Sequence, residues 1–325
     1  MLVSLAITLI MMGAVTSLFQ LVTDSVAGSR AGIEMSERLR ACRNRLQADL
    51  QGVTVGTMQP PLRPENDEGY FEYIEGPYID NDWLRAGFLA TPTSPTILGD
   101  ADDVLMFTVR SRGEPFVGKF NTTTTESQVA EVMYFAVPNG PIVDATTTPV
   151  TRLYTLYRRV LLVSPGLRSV MPSPTANYYD LYDVSARYDN SSGTPLMIPN
   201  TLGDLTKREN RFAHYPGAST SGFPYDLNYA ISGAGTRPSN NNAYLVPLST
   251  ITITMPRLGD DVLMTNVLAF DVQVFDPNAP VQVGTVAVGP PDYGYAPATA
   301  GTTFGAFVDL GYPYSGSSGK PLFSR

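Results

Sequence analysis

A chain that makes or breaks bonds needs nucleophiles, bases or metal ligands within reach of one another, and this one is poorly supplied. Its single histidine, His214, stands in Arg211-Phe212-Ala213-His214-Tyr215-Pro216-Gly217, where a surface position in a loop is expected. Its single cysteine, Cys42, falls on an apolar stripe and reads as a small buried hydrophobe. One histidine and one cysteine cannot complete a transition-metal site of the usual nitrogen and sulfur type. No Gly-x-Ser-x-Gly elbow is present, and Gly217-Ala218-Ser219-Thr220-Ser221-Gly222 has the wrong spacing for one. Gly316-Ser317-Ser318-Gly319-Lys320 imitates a phosphate loop, but Tyr314 replaces the leading glycine and Pro321 the hydroxyl residue. Acidic clusters at Asp100, Asp102 and Asp103, at Asp260 and Asp261, and at Asp180, Asp183 and Asp189 could offer oxygen ligands to calcium. None has the spacing of a twelve-residue calcium loop, and solvated turn carboxylates are the simpler reading. Calcium is therefore the one cofactor left open, and no other is implied. Paired carboxylates for glycoside hydrolysis need not be neighbours in sequence, but nothing points to a particular pair.

The elements that would carry any site are clearer than the site. The chain has 325 residues and a net charge of -8, enough for one large or two ordinary domains. The first fifty-two residues hold five arginines (Arg30, Arg38, Arg40, Arg43, Arg45) and four acids (Asp24, Glu34, Glu37, Asp49), so the acidity belongs to the remainder. An acidic body without a basic stripe argues against nucleic acid as a partner. Charged residues make up only 16% of the chain, which suits an extracytoplasmic β-domain with long loops.

From Leu2 to Val22 there is no charge, about the length a helix needs to cross a bilayer core. Its hydroxyl groups at Ser4, Thr8, Thr16 and Ser17 can bond to a carbonyl one turn back. No proline interrupts the chain before Pro60. Past Asp24, charges arrive on the helical period, and Met35, Leu39, Cys42, Leu46 and Leu50 recur at three- and four-residue spacing. A single helix of about 75 Å is expected, at 1.5 Å per residue, closed by Gly52. Its greasy end (residues 1–23) belongs in lipid, and its striped end (24–52) lies against a folded domain. Leu2, Leu5, Leu9, Gly13 and Ser17 are the candidate membrane and assembly positions, the last two small enough to let another helix approach. Met35, Leu39, Cys42, Leu46 and Leu50 are the candidate packing positions against the domain. Two other readings compete with a retained anchor. One is a cleaved signal peptide, with Val26-Ala27-Gly28-Ser29 as a weak cleavage sequence; the other is a core helix of a soluble protein.

Beyond Gly52, residues 53–325 read as a β-rich domain. Strands are expected at Val104–Val109, Glu131–Val137 and Thr151–Val163, then at Ile251–Met255 and Asn266–Phe275, with a short signal at Thr303–Leu310. In the stretch Asn266–Phe275, Leu268, Phe270, Val272 and Val274 would form one apolar face. Residues 164–249 read as a long loop region, with Tyr182–Tyr188 its one strand-like stretch. Leu98-Gly99-Asp100-Ala101-Asp102-Asp103-Val104-Leu105-Met106 echoes Leu258-Gly259-Asp260-Asp261-Val262-Leu263-Met264, which suggests similar turns leading into two strands. The fold class is α+β, one long N-terminal helix packed on an antiparallel sheet.

This arrangement resembles the type IV pilin-like proteins, specifically the J-type pseudopilins of type II secretion and their minor-pilin relatives. The resemblance lies in Leu2-Val3-Ser4-Leu5-Ala6-Ile7-Thr8-Leu9-Ile10-Met11-Met12-Gly13-Ala14-Val15, a run that in the family follows a Gly-Phe-Thr-Leu-x-Glu processing motif. Looser matches are Arg45-Leu46-Gln47-Ala48-Asp49-Leu50, Leu156-Tyr157-Arg158-Arg159 and Asn266-Val267-Leu268-Ala269-Phe270-Asp271-Val272-Gln273-Val274-Phe275-Asp276. The resemblance implies a non-enzymatic subunit held in the bacterial inner membrane by one pass, with its domain in the periplasm. Its implied partners are the lipid bilayer and other pilin-like subunits, bundled through their helices. The processing motif is absent, and Met1 stands where the residue after its glutamate would be. The expectation is therefore a start at an internal methionine or an unprocessed copy, with prepilin peptidase a partner only of a longer N-terminus. Two other classes stay open. One is a signal-anchored periplasmic enzyme or carbohydrate-binding module using the tyrosine-rich loops between Tyr178 and Tyr244. The other is a secreted β-protein that has lost its first 28 residues.

Overall fold

The structure is a computed structural model, and it describes residues 2–56, 67–74, 103–138, 153–171, 178–189, 193, 196–212, 262–280 and 304–309. The chain divides into two compact units, Met1–Ala48 and Asp49–Arg325. One helix, α1 (Leu2–Gln51), makes up the first unit and contributes its last turn to the second. It runs 50 residues without a break because proline is absent and the apolar residues are spaced for a helix. Its hydroxyls behave as the sequence leads one to expect. Thr8, Thr16, Ser17 and Thr23 each donate to the carbonyl four residues earlier (Ser4, Met12, Gly13 and Phe19), at 2.8–3.0 Å. No donor of these side chains is left for lipid to satisfy.

The second unit is built on a five-stranded antiparallel sheet in the order β1-β2-β5-β6-β9. Its strands are β1 (Phe71–Ile74), β2 (Val104–Arg110), β5 (Val129–Pro138), β6 (Tyr154–Leu162) and β9 (Val262–Val267). Between β2 and β5 a hairpin is formed by β3 (Phe116–Phe120) and β4 (Thr123–Ser127). Its turn holds Asn121 at φ 56°, a left-handed position that asparagine tolerates. Strands β2, β5 and β6 carry near-continuous apolar runs because both of their faces are buried. On one face Thr108, Glu131 and Leu161 stand in register, followed by Met106, Met133 and Arg159. On the other, Phe107, Val132 and Val160 are followed by Leu105, Tyr134 and Arg158.

The first face is covered by short elements drawn from residues 165–212. They are a 3-10 turn (Pro165–Val170), α2 (Tyr178–Leu181), β7 (Ala186–Asp189), β8 (Leu196–Pro199), α3 (Leu202–Leu205) and a second 3-10 turn (Arg208–Asn210). Tyr178, Tyr182, Met197, Leu202, Leu205 and Phe212 join Tyr70, Met106, Met133 and Leu161 in one buried cluster. The described parts of the expected long loop, up to Phe212, therefore contribute to the core, and its remainder to residue 249 lies outside the described residues. Its elements are mostly four residues long, too short to show a period in sequence. The small helix α3 is nevertheless well specified. Thr201 and Asp204 form a capping box, with the Asp204 N–H donating to Thr201 Oγ1 at 3.0 Å and the Thr201 N–H to the Asp204 carboxylate at 3.0 Å.

Strands β2, β5 and β6 fall where the sequence placed them, within a few residues. The stretch Asn266–Phe275 does not form one strand. β9 ends at Val267, the chain leaves the sheet through Leu268–Val272, and β10 (Gln273–Pro280) pairs instead with β11 (Phe304–Asp309). Asn266 at φ 59° turns the chain at the end of β9, and Leu268 is exposed. The alternating pattern thus spans a junction between two sheets. β11 matches the short signal at Thr303–Leu310, and the expected strand at Ile251–Met255 lies outside the described residues. β2 and β9 begin at Val104 and Val262, the equivalent points of the near-repeat.

Candidate anchoring helix and junction site

The first unit is an apolar helix surface open to its surroundings. Val3, Leu9, Ile10, Met11, Met12, Leu18, Phe19 and Leu21 are each more than half exposed, with Ile10 at 71%. Burying such side chains is worth roughly 1.5–3 kcal/mol each. A row of them facing water would be strongly unfavourable, so the surface calls for an apolar environment. Among the described residues, α1 is the one helix long and apolar enough to cross a membrane. Leu2 and Leu5 lie on this helix, and a Cβ added at Gly13 would meet no other atom within 4 Å. Ser17 follows one turn on, its hydroxyl turned back to the Gly13 carbonyl. Farther along, Met35 and Leu39 are exposed, while Cys42 and Leu46 are half-buried.

The last turn of α1 belongs to the second unit and is held there by charge. Asp49 is buried (4% exposed), whereas its neighbour Leu50 remains 40% exposed. The Asp49 carboxylate accepts from Arg158 Nε at 2.6 Å and Nη2 at 2.9 Å, a bidentate pair, and from the Tyr134 hydroxyl. Arg158 and Tyr134 stand opposite one another on β6 and β5, so the sheet presents both donors side by side. A carboxylate at a helix C-terminus is disfavoured by the helix dipole, and the guanidinium offsets that cost. Burial alone would lower the Arg158 pKa, but the hydrogen bonds and charge of Asp49 outweigh it and raise it. The Tyr134 phenol is pushed well above its ordinary range, first by burial and then by the hydrogen bond and charge of Asp49.

Beyond Asp49 the chain is bound to β2 through its backbone. The Arg110 N–H donates to the Gly52 carbonyl at 2.7 Å, Val53 pairs with Val109, and the Thr54 N–H donates to the Thr108 carbonyl at 3.0 Å. Gly52 is required by this approach, since a Cβ there would lie 2.5 Å from the Arg110 carbonyl oxygen. The sequence marked Gly52 as a helix stop; the close packing on β2 is a second reason for it.

A second polar group lies on the opposite face of the sheet. Glu72 on β1 is fully buried and accepts from Arg208 Nε and from Arg211 Nη1, both at 2.8 Å. Glu131 on β5, also fully buried, accepts from the Tyr70 hydroxyl at 2.6 Å, the Ser185 hydroxyl at 2.7 Å and the Phe212 N–H at 3.0 Å. The Arg211 guanidinium sits 4.2 Å from the centre of the Tyr70 ring, a cation-π contact. Burial, followed by the charge and hydrogen bond of Glu131 and the charge of Glu72, holds the Tyr70 phenol far above its usual pKa. These carboxylates are enclosed and bonded on the protein side, which makes them structural groups.

No family model, curated protein or solved structure matches this chain. The likeness to pilin-like proteins rests on the residues quoted for it. Two of the looser matches contain Asp49 and Arg158, which the structure brings together although 109 residues separate them. Sequence reasoning assigned no role to Tyr134, Glu72 or Glu131. The signal was a charge inside an apolar strand: Glu131 in Val-Ala-Glu-Val-Met-Tyr and the arginine pair in Tyr-Thr-Leu-Tyr-Arg-Arg-Val. Among the described residues, no group of three or more histidine, cysteine or acidic side chains could hold a metal ion. Asp103 accepts from the Val272 N–H at 2.6 Å, and Asp183 from the Lys119 N–H at 2.7 Å and Arg159 at 3.2 Å. Asp100, Asp102, Asp260, Asp261 and His214 lie outside the described residues. Tyr178 and Tyr182 are buried and stacked with ring centres 5.2 Å apart. They are core residues, and the stretch from residue 213 to Tyr244, on which the carbohydrate-binding or hydrolase reading also rests, lies outside the described residues.

Proposed function

We propose that this protein is a non-enzymatic, single-pass membrane-anchored subunit of a pilin-like assembly, of the kind that serves type II secretion or a type IV pilus. The observation that carries the reading is a helix of 50 residues without interruption, apolar and exposed at its front, whose last turn is built into a β-domain by Asp49. A detachable signal sequence has no use for a continuous helix that shares its final turn with the fold. In this reading the front of α1 lies in the bacterial inner membrane and the β-domain in the periplasm. Leu2, Leu5, Leu9, Gly13 and Ser17 form the surface that meets the helices of other subunits.

Cysteine scanning tests it. With Cys42 replaced by serine, single cysteines at Gly13 and Ser17 are expected to crosslink into dimers or mixed species in membranes, and to stop doing so when the membrane is dissolved in excess detergent. A chain found in the soluble fraction with its first 28 residues removed, or cysteines that never crosslink, would overturn the proposal.

A further inference from the structure

We infer that the segment Leu196–Phe212 is a latched cap, held on the sheet by two buried carboxylates and released when their negative charges are lost. The inference rests on the second unit alone and is independent of the anchoring proposal.

The segment comprises β8, α3 and the second 3-10 turn; β8 pairs with β7, Met197, Leu202, Leu205 and Phe212 pack into the core cluster, and a small set of polar contacts fixes the segment on the sheet. Glu72 takes both guanidiniums of the segment, Arg208 and Arg211, and Glu131 takes the Phe212 N–H. Glu131 also takes the Ser185 hydroxyl, whose oxygen accepts in turn from Asn200 Nδ2 at 3.0 Å. Asn200 fixes the other end of the segment as well, donating to the Asn210 carbonyl at 2.9 Å. Arg211 is 3% exposed and also donates Nε to the Leu205 carbonyl and Nη2 to the Thr206 carbonyl, within the segment itself. The two carboxylates therefore belong to the sheet, while the cations and the amide belong to the cap.

This division makes the joint sensitive to charge. The groups facing the carboxylates are Tyr70 from the chain before β1, Thr108 opposite Glu131 on β2, Ser185 before β7, and Arg208, Arg211 and Phe212 from the cap. With both glutamates ionised, two negative charges meet two positive ones. With both neutral, Arg211 is left as a buried cation without its counter-ion, which is strongly disfavoured. The cation can regain water only if the cap moves, since its own hydrogen bonds to Leu205 and Thr206 travel with it. The sheet keeps its ladder, because neither glutamate side chain contributes to strand pairing. A further acid-sensitive pair ties the cap to β7, Asp204 of α3 with Arg187 at 2.6 Å, while Asp49 with Arg158 and Asp183 with Arg159 lie outside the cap.

Hydrogen exchange of the full chain in detergent micelles, read by mass spectrometry and corrected for the intrinsic pH dependence of exchange, tests the latch. Between about pH 7 and about pH 3, peptides covering residues 196–212 are expected to exchange at least tenfold faster, while peptides of β5 and β6 keep their protection. The variants E72Q and E131Q, combined, are expected to show the same pattern at neutral pH, and D204N is expected not to. Loss of protection in cap and sheet together, unchanged protection of the cap in acid, or release by D204N alone would overturn the inference. The acid series run on D204N as well as on the unmodified chain decides the matter even where the double variant fails to fold: release in both supports the latch, and release in the unmodified chain alone overturns it.

Discussion

The front of α1 and the middle of the sheet invert the usual distribution of residues in opposite ways. Ile10 and Phe19 are 71% and 66% exposed, whereas Glu72 and Glu131 are at 0% and Arg211 at 3%. Apolar groups outside and charges inside are both costly in water, and the chain resolves them differently. The sheet settles its charges internally, each carboxylate matched by guanidinium, hydroxyl or amide donors. The helix has no such partner within its own unit and must draw on a second medium, lipid or another helix. A buried charge therefore reports what the fold has completed, and an exposed apolar surface reports what it has left uncovered.

Substitutions can break each side of that contrast. The largest effect is expected at Glu72→Ala, which strands Arg211 in the core and should lower stability by about 3–5 kcal/mol, read as a fall in the urea midpoint. On the helix, Ile10→Arg places a charge in the middle of the apolar run and should cost about 3 kcal/mol of insertion, read as loss from the membrane fraction. The same substitution should leave the urea midpoint of the β-domain unchanged. Asp49→Asn removes the charge but keeps the shape, and a loss of about 2 kcal/mol is expected from the same denaturation curves.

Alkaline pH sharpens the comparison further. The Tyr70 phenol has a raised pKa in the folded chain, so its contribution is complete below the ordinary tyrosine value of about 10 and is lost as pH rises beyond it. Above that value the unfolded chain releases the proton and the folded one retains it. Tyr70 should then account for a fall of about 1.4 kcal/mol per pH unit, and Tyr70→Phe should reduce the slope by that amount, leaving the shares of Tyr134 and Tyr178, which are raised in the same direction. The smallest change is expected at Ser17→Ala, below about 0.5 kcal/mol in domain stability, because its hydroxyl serves only its own helix.

Much of the framework was legible in the sequence because it depends on local patterns. An uncharged run, a missing proline and a glycine stop are enough to place α1, and three runs of β-branched and aromatic residues place β2, β5 and β6. What stayed hidden depends on distant partners. Asp49 looks like any helix-surface acid until Arg158 and Tyr134 are brought to it. Glu72 lies among tyrosines and acids with no period to mark it as buried, and its partners Arg208 and Arg211 are 136 and 139 positions away. Leu50, on the apolar stripe, stays exposed beside the buried Asp49, because within this last turn a charge pair makes the contact with the sheet. The stretch Asn266–Phe275 misleads for the opposite reason: its alternation is locally regular, yet its two halves pair with different strands.

The pairing of Asp49 with Arg158 also sets a timetable. At about 5–20 residues per second, ribosomal synthesis delivers the arginine roughly 5–20 seconds after the aspartate, since 109 positions separate them. The backbone pairing of Gly52 and Thr54 with β2 has its partners earlier, so the charge pair on Asp49 is the last of these contacts to become available, once β6 has been made.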